Sequence, residues 1–437
     1  MRNRLSNMNP WYWIPTLYFA EGLPYFVVNN ISVIMFTNMG MSNGEMALYT
    51  SMLYLPWVIK PLWSPFVDII KTKRWWIMAM QILISVAFAL LAFSLPHPSQ
   101  EVIASGNTSV SLFIVTLVIF WITAFASATH DIAADGFYMH ALNQGEQSVF
   151  VGIRSTFYRL SSIFGQGFLV MIAGVLEKST GDIPQAWSLT LLVCAVIFAA
   201  ITLWHTFRLP VPNSDNMREN GNTAAGIVRD FSRTFVTFFK KPYIWTALLF
   251  MLLYRLPEAF LVKMMNPFLL DPHTDGGLAL STDTVGLVYG TIGVGALVAG
   301  GILGGLAASR WGLKRSLWPM ALSLTLPCLS FVFLAAFQPE NIVLISSCVA
   351  LDQFGYGFGF TAYMLYLIYF SEGEFKTAHY SLCTGFMALS MMLPGMIAGY
   401  IQESVGYVHF FIFVMICCLV TVGVTSMLKV DPEFGKK

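Results

Sequence analysis

Charged residues are scarce in this chain of 437 amino acids. Asp, Glu, Lys and Arg together account for 11% of it, whereas they account for about 25% of an average soluble protein. Hydrophobic residues account for 56%. This composition excludes an ordinary soluble protein and predicts an all-α protein that crosses a membrane many times. A chain of this length holds about twelve spanning helices of ~20 residues each.

Two motifs that would indicate an enzyme or an ATP-driven transporter are missing. The chain has no H-E-x-x-H zinc motif and no G-x-x-x-x-G-K-[ST] phosphate-binding loop. The pattern Asp131-x-x-x-Asp135-Gly136 lacks further acidic residues at metal-binding spacing. We therefore expect no catalytic activity, cofactor, metal or nucleic-acid partner. An intramembrane enzyme is kept as the alternative from another class.

Cysteine is also infrequent, with six residues in the chain. All six fall in apolar stretches, none has the spacing of a metal site, and none lies in a loop suited to a disulfide. They are predicted to pack in the core as small hydrophobic residues. The six are Cys194, Cys328, Cys348, Cys383, Cys417 and Cys418.

Twelve apolar segments of spanning length follow one another along the chain. They lie near residues 14–36, 45–66, 75–95, 110–136, 149–176, 187–208, 243–269, 281–308, 316–337, 341–370, 377–401 and 407–428. The long polar stretch from 209 to 242 predicts a cytoplasmic linker. It would join two six-helix halves, residues 1–208 and 243–437.

Basic residues occur in every second loop and at both ends of the chain, whereas the opposite loops carry only Lys178. By the positive-inside rule, both termini are predicted to be cytoplasmic. The basic residues on that side are Arg2, Arg4, Lys71, Lys73, Arg74, Arg208, Arg218, Arg229, Arg233, Lys240, Lys241, Arg310, Lys314, Arg315, Lys376, Lys429, Lys436 and Lys437.

The two halves resemble each other weakly, because Leu-Pro pairs occur in the first and seventh segments, at Leu23-Pro24 and Leu256-Pro257. Two parallel repeats of this kind enclose a central cavity. Prolines that interrupt their helices leave backbone carbonyls free to face such a cavity.

The loop after the eighth segment carries a more specific pattern. Residues 305–315 match the gating motif of the major facilitator superfamily, except that Ser309 replaces an acid. The loop after the second segment keeps Asp68 and Arg74 but lacks the glycines of the motif. The chain therefore resembles that superfamily, which implies two six-helix bundles with alternating access. The candidate cytoplasmic gate residues are Asp68, Arg74, Asp135, Arg310 and Arg315.

Longer strings narrow the resemblance. HDIAADGFYMHAL (130–142), then GEQ and YRL (158–160), LPWVIKPLWSPFVD (55–68) and TAHYSLCTGFMAL (377–389) are similar to elements of the AmpG muropeptide permeases and their acetyl-CoA-transporter relatives. The resemblance implies a monomeric, proton-coupled importer of amino-sugar cell-wall fragments in a bacterial inner membrane, where it contacts lipid. The alternative is a carrier of another sugar or oligosaccharide, or of an organic anion such as acetyl-CoA.

Four positions depart from the AmpG pattern. Gly136 replaces an alanine, Tyr138 a frequently basic residue, Ser161 a glycine, and Glu21 a small residue. The loss of one cation and the gain of one acid near the cavity are compatible with a different substrate.

Ten charged residues lie inside apolar segments, five of each sign, as expected if they pair or face water. They are Glu21, Lys60, Asp131, Asp135, Arg154, Arg159, Arg255, Glu258, Lys263 and Asp352. A charge at this depth costs at least ~2.5–3.5 kcal/mol, so each one is a candidate for function. The candidates for proton coupling are Glu21, Asp131, Glu258 and Asp352.

Each acid in the first half also has a structural interpretation. Glu21 either exchanges protons or is the partner of Lys60 or Arg159. Asp131 and Asp135, four residues apart, share one helix face. Asp131 is predicted to be the relay, and Asp135, which is nearer to the loop, the latch.

Arginine is the preferred residue for binding a substrate anion, because its guanidinium binds a carboxylate or phosphate bidentately and keeps its charge. Arg159 is the first candidate, and Arg255 follows unless Glu258, three residues on, neutralises it. The tyrosines after Asp352 either contact a sugar ring or pack in the core. The substrate-binding candidates are Tyr25, Asn29, Arg154, Arg159, Arg255, Gln353 and Tyr363.

Overall fold

The computed structural model describes residues 8–106, 108–142, 144–211, 224–373 and 376–435, and every regular element in these ranges is a helix. The α-helices before residue 209 are α1 (Ile14–Phe26), α2 (Ser32–Asn38), α3 (Asn43–Met52), α4 (Leu55–Ile69), α5 (Lys73–Ser94), α6 (Gln100–Ala104), α7 (Ile114–Ala141), α8 (Gln144–Ile163), α9 (Val170–Thr180) and α10 (Ile183–Arg208).

The α-helices after residue 209 are α11 (Ala224–Phe239), α12 (Ile244–Leu253), α13 (Leu256–Leu270), α14 (Thr282–Val285), α15 (Val294–Thr325), α16 (Leu329–Phe337), α17 (Ile342–Ser371) and α18 (Lys376–Ser426). Wider π-helical turns continue α1, α8 and α14, at Val27–Ile31, Phe164–Leu169 and Gly286–Gly293. Short 3₁₀ turns lie at Pro10–Tyr12, Val110–Phe113, His273–Asp275 and Leu326–Cys328.

Nine segments of the described residues are long and apolar enough to span a membrane. Two of them are far longer than a single span, Thr282–Phe337 with 56 residues and Ala378–Ser426 with 49. Each contains a glycine with a left-handed backbone, Gly312 (φ 76°) and Gly406 (φ 74°). Glycine adopts this conformation at little cost, and it ends a helix. Each long segment therefore consists of two helical stretches.

Interruptions occur at both predicted Leu-Pro pairs. In the first half, Pro24 lies inside α1, just before the π-helical turn Val27–Ile31. In the second half, α12 ends at Leu253 and α13 begins at Leu256, so Pro257 occupies the first turn of α13. Proline fits there because the first N–H groups of a helix have no intrahelical partner.

The helices run between two ends of the molecule. We call the end where α1 begins and α10 ends the near face; there Trp204 Nε1 donates to the Tyr12 carbonyl at 2.8 Å. The end where α2 and α9 finish is the far face. The predicted basic loops that the structure describes lie at the near face, as the contact of Arg74 with the Leu209 carbonyl illustrates.

The apolar core joins the two halves mainly toward the far face. One large cluster there contains residues from both halves, such as Phe36 of α2 and Phe268 of α13. Toward the near face each half has a core of its own, one around Trp13 and the other around Phe250. Packing between the halves is therefore concentrated at the far end.

The cysteines behave as predicted. All six are free thiols, and all are buried except Cys348, which is half-buried. They contribute to packing as small, soft side chains.

Candidate functional site

Two ion pairs lie inside the first half. Lys60 of α4 pairs with Asp131 of α7, and Arg154 Nη2 of α8 lies 2.9 Å from Asp135 Oδ1. The Lys60 and Asp131 side chains are 20% and 19% exposed. Ions inside a membrane protein are expected to pair or to face water, and these four form pairs. Arg154 is one of the two predicted cations near the aspartates, whereas the partner of Asp131 is Lys60.

Aromatic rings surround Arg154. Its guanidinium carbon lies 4.6 Å from the ring centre of Tyr18 and 5.1 Å from that of Tyr138. The Tyr18 hydroxyl donates to Asp135 Oδ1 at 3.5 Å. Cation–π contacts of this kind hold a guanidinium in place where water is scarce. Tyr138, one of the departures from the AmpG pattern, therefore forms an aromatic wall for a cation.

Glu21 lies beside these pairs without joining them. Its side chain is 8% exposed, and Oε2 is buried and has no hydrogen-bond partner. It is close enough to Asp131, Asp135, Lys60 and Arg154 to interact electrostatically with all four. Three carboxylates and two cations give this cluster a formal net charge of −1, so a single proton on Glu21 neutralises it. The alternative role of Glu21 as the ion-pair partner of Lys60 is not found.

The contribution of the Lys60–Asp131 ion pair to the stability of the fold can be tested by mutation. Replacing Lys60 by methionine leaves Asp131 without its cation, which we expect to cost about 3 kcal/mol of stability. The double variant Lys60→Met/Asp131→Asn removes both charges and is expected to regain most of that loss. Thermal unfolding in detergent measures both variants. If the double variant is no more stable than the single one, the pair does not stabilise the fold in this way.

In the second half, Arg255 packs against aromatic rings. Its guanidinium carbon lies 4.7 Å from the ring centre of Phe360, and the guanidinium also donates to the Tyr356 hydroxyl. Glu258 is fully buried, and neither of its carboxylate oxygens has a hydrogen-bond partner. The ion pair between Arg255 and Glu258, which was the structural alternative, is therefore not formed.

Asp352 is the second buried acid of this half. It is 1% exposed; Oδ2 accepts a hydrogen bond from Gln353 Nε2 at 3.1 Å, whereas Oδ1 has no partner. Glu258 interacts electrostatically with Asp352. Two neighbouring buried acids without a bonded cation are suited to holding a proton. The two proton-coupling candidates of the second half therefore lie close to each other. Gln353, a substrate-binding candidate, donates its hydrogen bond to Asp352.

Arg159 reaches from the first half toward α15 of the second. A Cβ built on Gly301 would lie 3.3 Å from both Arg159 Nη1 and Nη2, so the guanidinium rests against this glycine. Arg159 is half-buried, and among the described residues it has no hydrogen bond or ion pair. It therefore keeps its donors free for an anion, as its prediction as a substrate-binding residue requires.

A small cavity lies between the halves, and its volume of about 10 Å³ has room for a single water molecule. Lys263 faces it and donates to Thr50 Oγ1 of the first half at 3.1 Å. Asn29 is the predicted substrate-binding candidate that lines it. The lining residues are Asn29, Asn30, Val33, Tyr54, Ala259, Val262, Lys263, Asn266 and Met391.

The two tyrosine candidates occupy different environments. Tyr25 is half-buried and stands edge-on to Trp57, with ring centres 5.1 Å apart. Tyr363 is fully buried, and its hydroxyl donates to the Met251 carbonyl at 2.5 Å. In this conformation Tyr363 packs in the core, which favours the structural interpretation of the tyrosines after Asp352.

Two of the candidate gate residues make contacts inside the first half. Arg74 donates to the carbonyl of Thr206 at 3.2 Å, and Asp135 pairs with Arg154; both contacts lie within the first half. Arg310 and Arg315 are exposed. The side chain of Asp68 lies outside the described side chains. The cytoplasmic gate stays a prediction.

At the far face, polar contacts that sequence reasoning missed do join the halves. Asn38 Nδ2 donates to Glu177 Oε1 at 3.0 Å, and Thr282 Oγ1 of the second half donates to Glu177 Oε2 at 2.6 Å. Lys178 pairs with Asp283 at 2.7 Å. We call these five residues, Asn38, Glu177, Lys178, Thr282 and Asp283, the first far-face latch.

A second far-face latch joins α3 to the last helices. Asn43 Nδ2 donates to Asp271 Oδ2 at 2.9 Å, and the Tyr407 hydroxyl donates to the same oxygen at 2.6 Å. The backbone N–H of Gly44 donates to Glu403 Oε1 at 2.7 Å. Burial raises the pKa of the Asp271 carboxyl, while these two donors favour its charged form. The far end is thus closed by specific hydrogen bonds as well as by apolar packing.

His130 belongs to a buried polar chain across the first half. Gln81 Nε2 lies 3.0 Å from His130 Nε2, Gln81 Oε1 lies 2.9 Å from His205 Nδ1, and Thr16 Oγ1 lies 2.8 Å from His205 Nε2. The chain links polar side chains of four helices in their apolar surroundings, although His130 Nδ1 is buried without a hydrogen-bond partner. The hydrogen bond to Gln81 gives His130 a structural role in this chain.

One short string superficially fits a nucleophile motif. Residues 40–44 read G-x-S-x-G. In the structure, Ser42 is the N-cap of α3, where its Oγ accepts the backbone N–H of Glu45 at 3.3 Å. This is the ordinary function of a serine at a helix start.

The sequence profile of the Major Facilitator Superfamily matches residues 16–399. The chain belongs to this superfamily of membrane transporters, and it is not an enzyme. The fold agrees, because the crystal structure of a D-xylose-proton symporter superimposes with a TM-score of 0.72 at 12% identity, covering 97% of this chain and 98% of that one.

Among curated proteins, the chain is similar to relatives named for cell-wall fragments. It is 24% identical to the "Anhydromuropeptide permease" of Escherichia coli K12, over 90% of this chain and 74% of that protein. It is also 24% identical to the "Putative transporter AmpG 4" of Rickettsia felis, over 92% of each chain. The resemblance predicted from the sequence strings is confirmed.

Proposed function

We propose that this chain is a proton-coupled importer of amino-sugar cell-wall fragments, such as GlcNAc-anhydroMurNAc with or without peptide, in a bacterial inner membrane. The similarity to the anhydromuropeptide permease over 90% of the chain supports the substrate class. The observation that carries the coupling is Glu21, a buried acid without a bonded cation beside two ion pairs.

Twelve membrane passes are consistent with the helices. The two long segments count twice, because Gly312 and Gly406 divide them, and α3 with α4 supplies one more pass in addition to the remaining seven. An even number of passes puts both termini at the near face. The basic loops there indicate the cytoplasm, so the far face is the outer one.

This assignment makes the structure an outward-closed state. The halves meet at the far face through two latches and a shared core, whereas each half has its own core at the near face. A disaccharide needs a cavity of hundreds of Å³, whereas the cavity that Lys263 faces has a volume of about 10 Å³ and cannot hold one in this state. The halves must therefore move apart to admit substrate, as alternating access requires.

Liposomes containing the purified protein provide the direct test. With an acidic outside, they are expected to accumulate labelled anhydro-disaccharide above its outside concentration, and a protonophore is expected to stop this accumulation. Uptake that a protonophore leaves unchanged would show that the coupling is wrong.

Competition separates the proposed substrate from the alternatives. An excess of unlabelled anhydro-muropeptide is expected to suppress uptake more strongly than free amino sugars or acetyl-CoA. If either of the latter competes better, the chain carries another sugar or an organic anion instead.

A further inference from the structure

Lys263 of α13 is a buried cation that takes no part in the proposed proton coupling. Its side chain is 5% exposed, and no carboxylate of the described residues lies within salt-bridge distance of it. Its hydrogen bond runs to Thr50 Oγ1 across the boundary between the halves, at 3.1 Å. An ammonium has three donors, so two of them are available to a ligand.

The surroundings of Lys263 supply complementary acceptors. Asn29 of the first half and Asn266 of the second line the same cavity, and their side-chain oxygens are buried without a hydrogen-bond partner. Buried amide oxygens normally accept a hydrogen bond. Tyr54 and Met391 add apolar walls, and the Lys263 ammonium lies 5.8 Å from the Tyr54 ring centre.

A cation beside two unsatisfied acceptors defines a ligand chemistry. The cation fits a carboxylate or phosphate, and the acceptors fit hydroxyl or amide N–H groups. We propose that Lys263 binds an anionic group of the transported substrate, while Asn29 and Asn266 accept hydrogen bonds from its hydroxyl or amide groups. This assignment rests on the proposed function of the chain as a carrier, and it narrows the substrate to hydroxylated anions.

Binding at Lys263 also connects the substrate to the movement of the halves. In this state the Thr50 hydroxyl of the first half bonds to the ammonium, and the cavity is too small for a sugar. When the halves separate, that hydrogen bond breaks and the ammonium becomes available. The substrate anion then takes the place of Thr50, so a bound anion and the closed contact exclude each other.

A matched pair of ligands tests the assignment on the full-length protein in detergent. N-acetylmuramic acid carries a carboxylate that N-acetylglucosamine lacks, and equilibrium dialysis with labelled sugars gives both dissociation constants. The wild type is expected to bind the acid more tightly. Lys263→Gln is expected to raise the Kd for the acid about tenfold or more and to leave the neutral sugar unchanged. Lys263→Arg is expected to keep the preference.

The control variant is Lys240→Gln, which removes an exposed cation that belongs neither to the cavity lining nor to either far-face latch, and it is expected to keep the preference for the acid. If the wild type shows no preference for the acid, or if Lys263→Gln retains it, Lys263 is not the anion site. A loss of unfolding temperature in Lys263→Gln together with equal weakening of both sugars would indicate a structural role and would also overturn the assignment.

Uptake into liposomes, measured separately, distinguishes this inference from the proposed function. Preference for the acid without uptake of anhydro-muropeptide would overturn the proposed substrate and leave the anion site standing. Uptake of anhydro-muropeptide that is equally fast in the wild type and in Lys263→Gln would overturn the anion site and leave the proposed function standing.

Discussion

Replacing Glu21 by glutamine is expected to abolish uphill uptake while preserving exchange of substrate across the membrane. The glutamine keeps the size and hydrogen-bonding capacity of the side chain but cannot release a proton. The neighbouring cluster then stays neutral, with the Lys60–Asp131 and Arg154–Asp135 pairs intact. Uptake into liposomes should stop when the inside and outside concentrations are equal, with or without a proton gradient.

Counterflow is the measurement that separates coupling from simple loss of function. Liposomes preloaded with unlabelled substrate are expected to take up labelled substrate equally well with wild-type protein and with Glu21→Gln. Glu340→Gln, which changes an exposed acid, is the matched control and should accumulate substrate like the wild type. If Glu21→Gln still accumulates substrate against its gradient, then Glu258 or Asp352 is the better candidate for the coupling acid.

Much of the fold could be predicted because each helix must cover the thickness of a bilayer with apolar residues. Helix α1 begins at Ile14 and α10 ends at Arg208, where the first and sixth predicted apolar segments begin and end. The interruptions at Pro24 and Pro257 follow from the missing N–H and fixed φ of proline. These are local properties of the chain, and a single sequence contains them.

The pairing of the buried charges could not be predicted in the same way. Lys60 and Asp131 are 71 residues apart and lie on different helices. Which charges meet depends on how far each helix is rotated and tilted against its neighbours, and hydropathy does not fix this angle. From the sequence, Lys60 is a possible ion-pair partner of Glu21. In the structure, Lys60 forms its ion pair with Asp131.

The cavity residues had a signal that could have been used. Arg255 is the N-cap of α13, and Ala259, Lys263 and Asn266 follow it at intervals of three to four residues, so these three lie on one face of the helix. Of these residues, Arg255 is the one predicted from the sequence to bind substrate. In the structure, Lys263 lines the cavity, whereas Arg255 packs against Phe360 outside the cavity lining.

The far-face latches left no comparable signal. Asn38, Asn43 and Thr282 are ordinary polar residues at helix ends, where asparagine and threonine are common for reasons of capping and turns alone. In the structure, Asn38 and Thr282 bind Glu177, and Asn43 binds Asp271, because helices from both halves meet at the far face. Contacts of this kind between the two halves cannot be predicted from a single sequence.

Closure at the far face also depends on glycines at which the halves touch backbone to backbone. A Cβ added to Gly399 of α18 would lie 1.9 Å from the Asn43 carbonyl oxygen of α3. A backbone atom cannot rotate away as a side chain can, so Gly399→Val is expected to prevent closure and to hold the far face open. Overpacking typically costs about 1–3 kcal/mol, and each 1.4 kcal/mol changes the ratio of two states about tenfold.

Two measurements on Gly399→Val follow. Uptake of labelled anhydro-muropeptide is expected to fall about tenfold. A Val33→Cys reporter in the cavity, buried in the closed state, is expected to react faster with an impermeant maleimide applied at the far face. Gly423→Val, in the second helical stretch of α18 beyond Gly406 and with no atom near the added Cβ, should change neither. If Gly399→Val leaves uptake and labelling as they are in the wild type, the α3–α18 contact is not needed for closure.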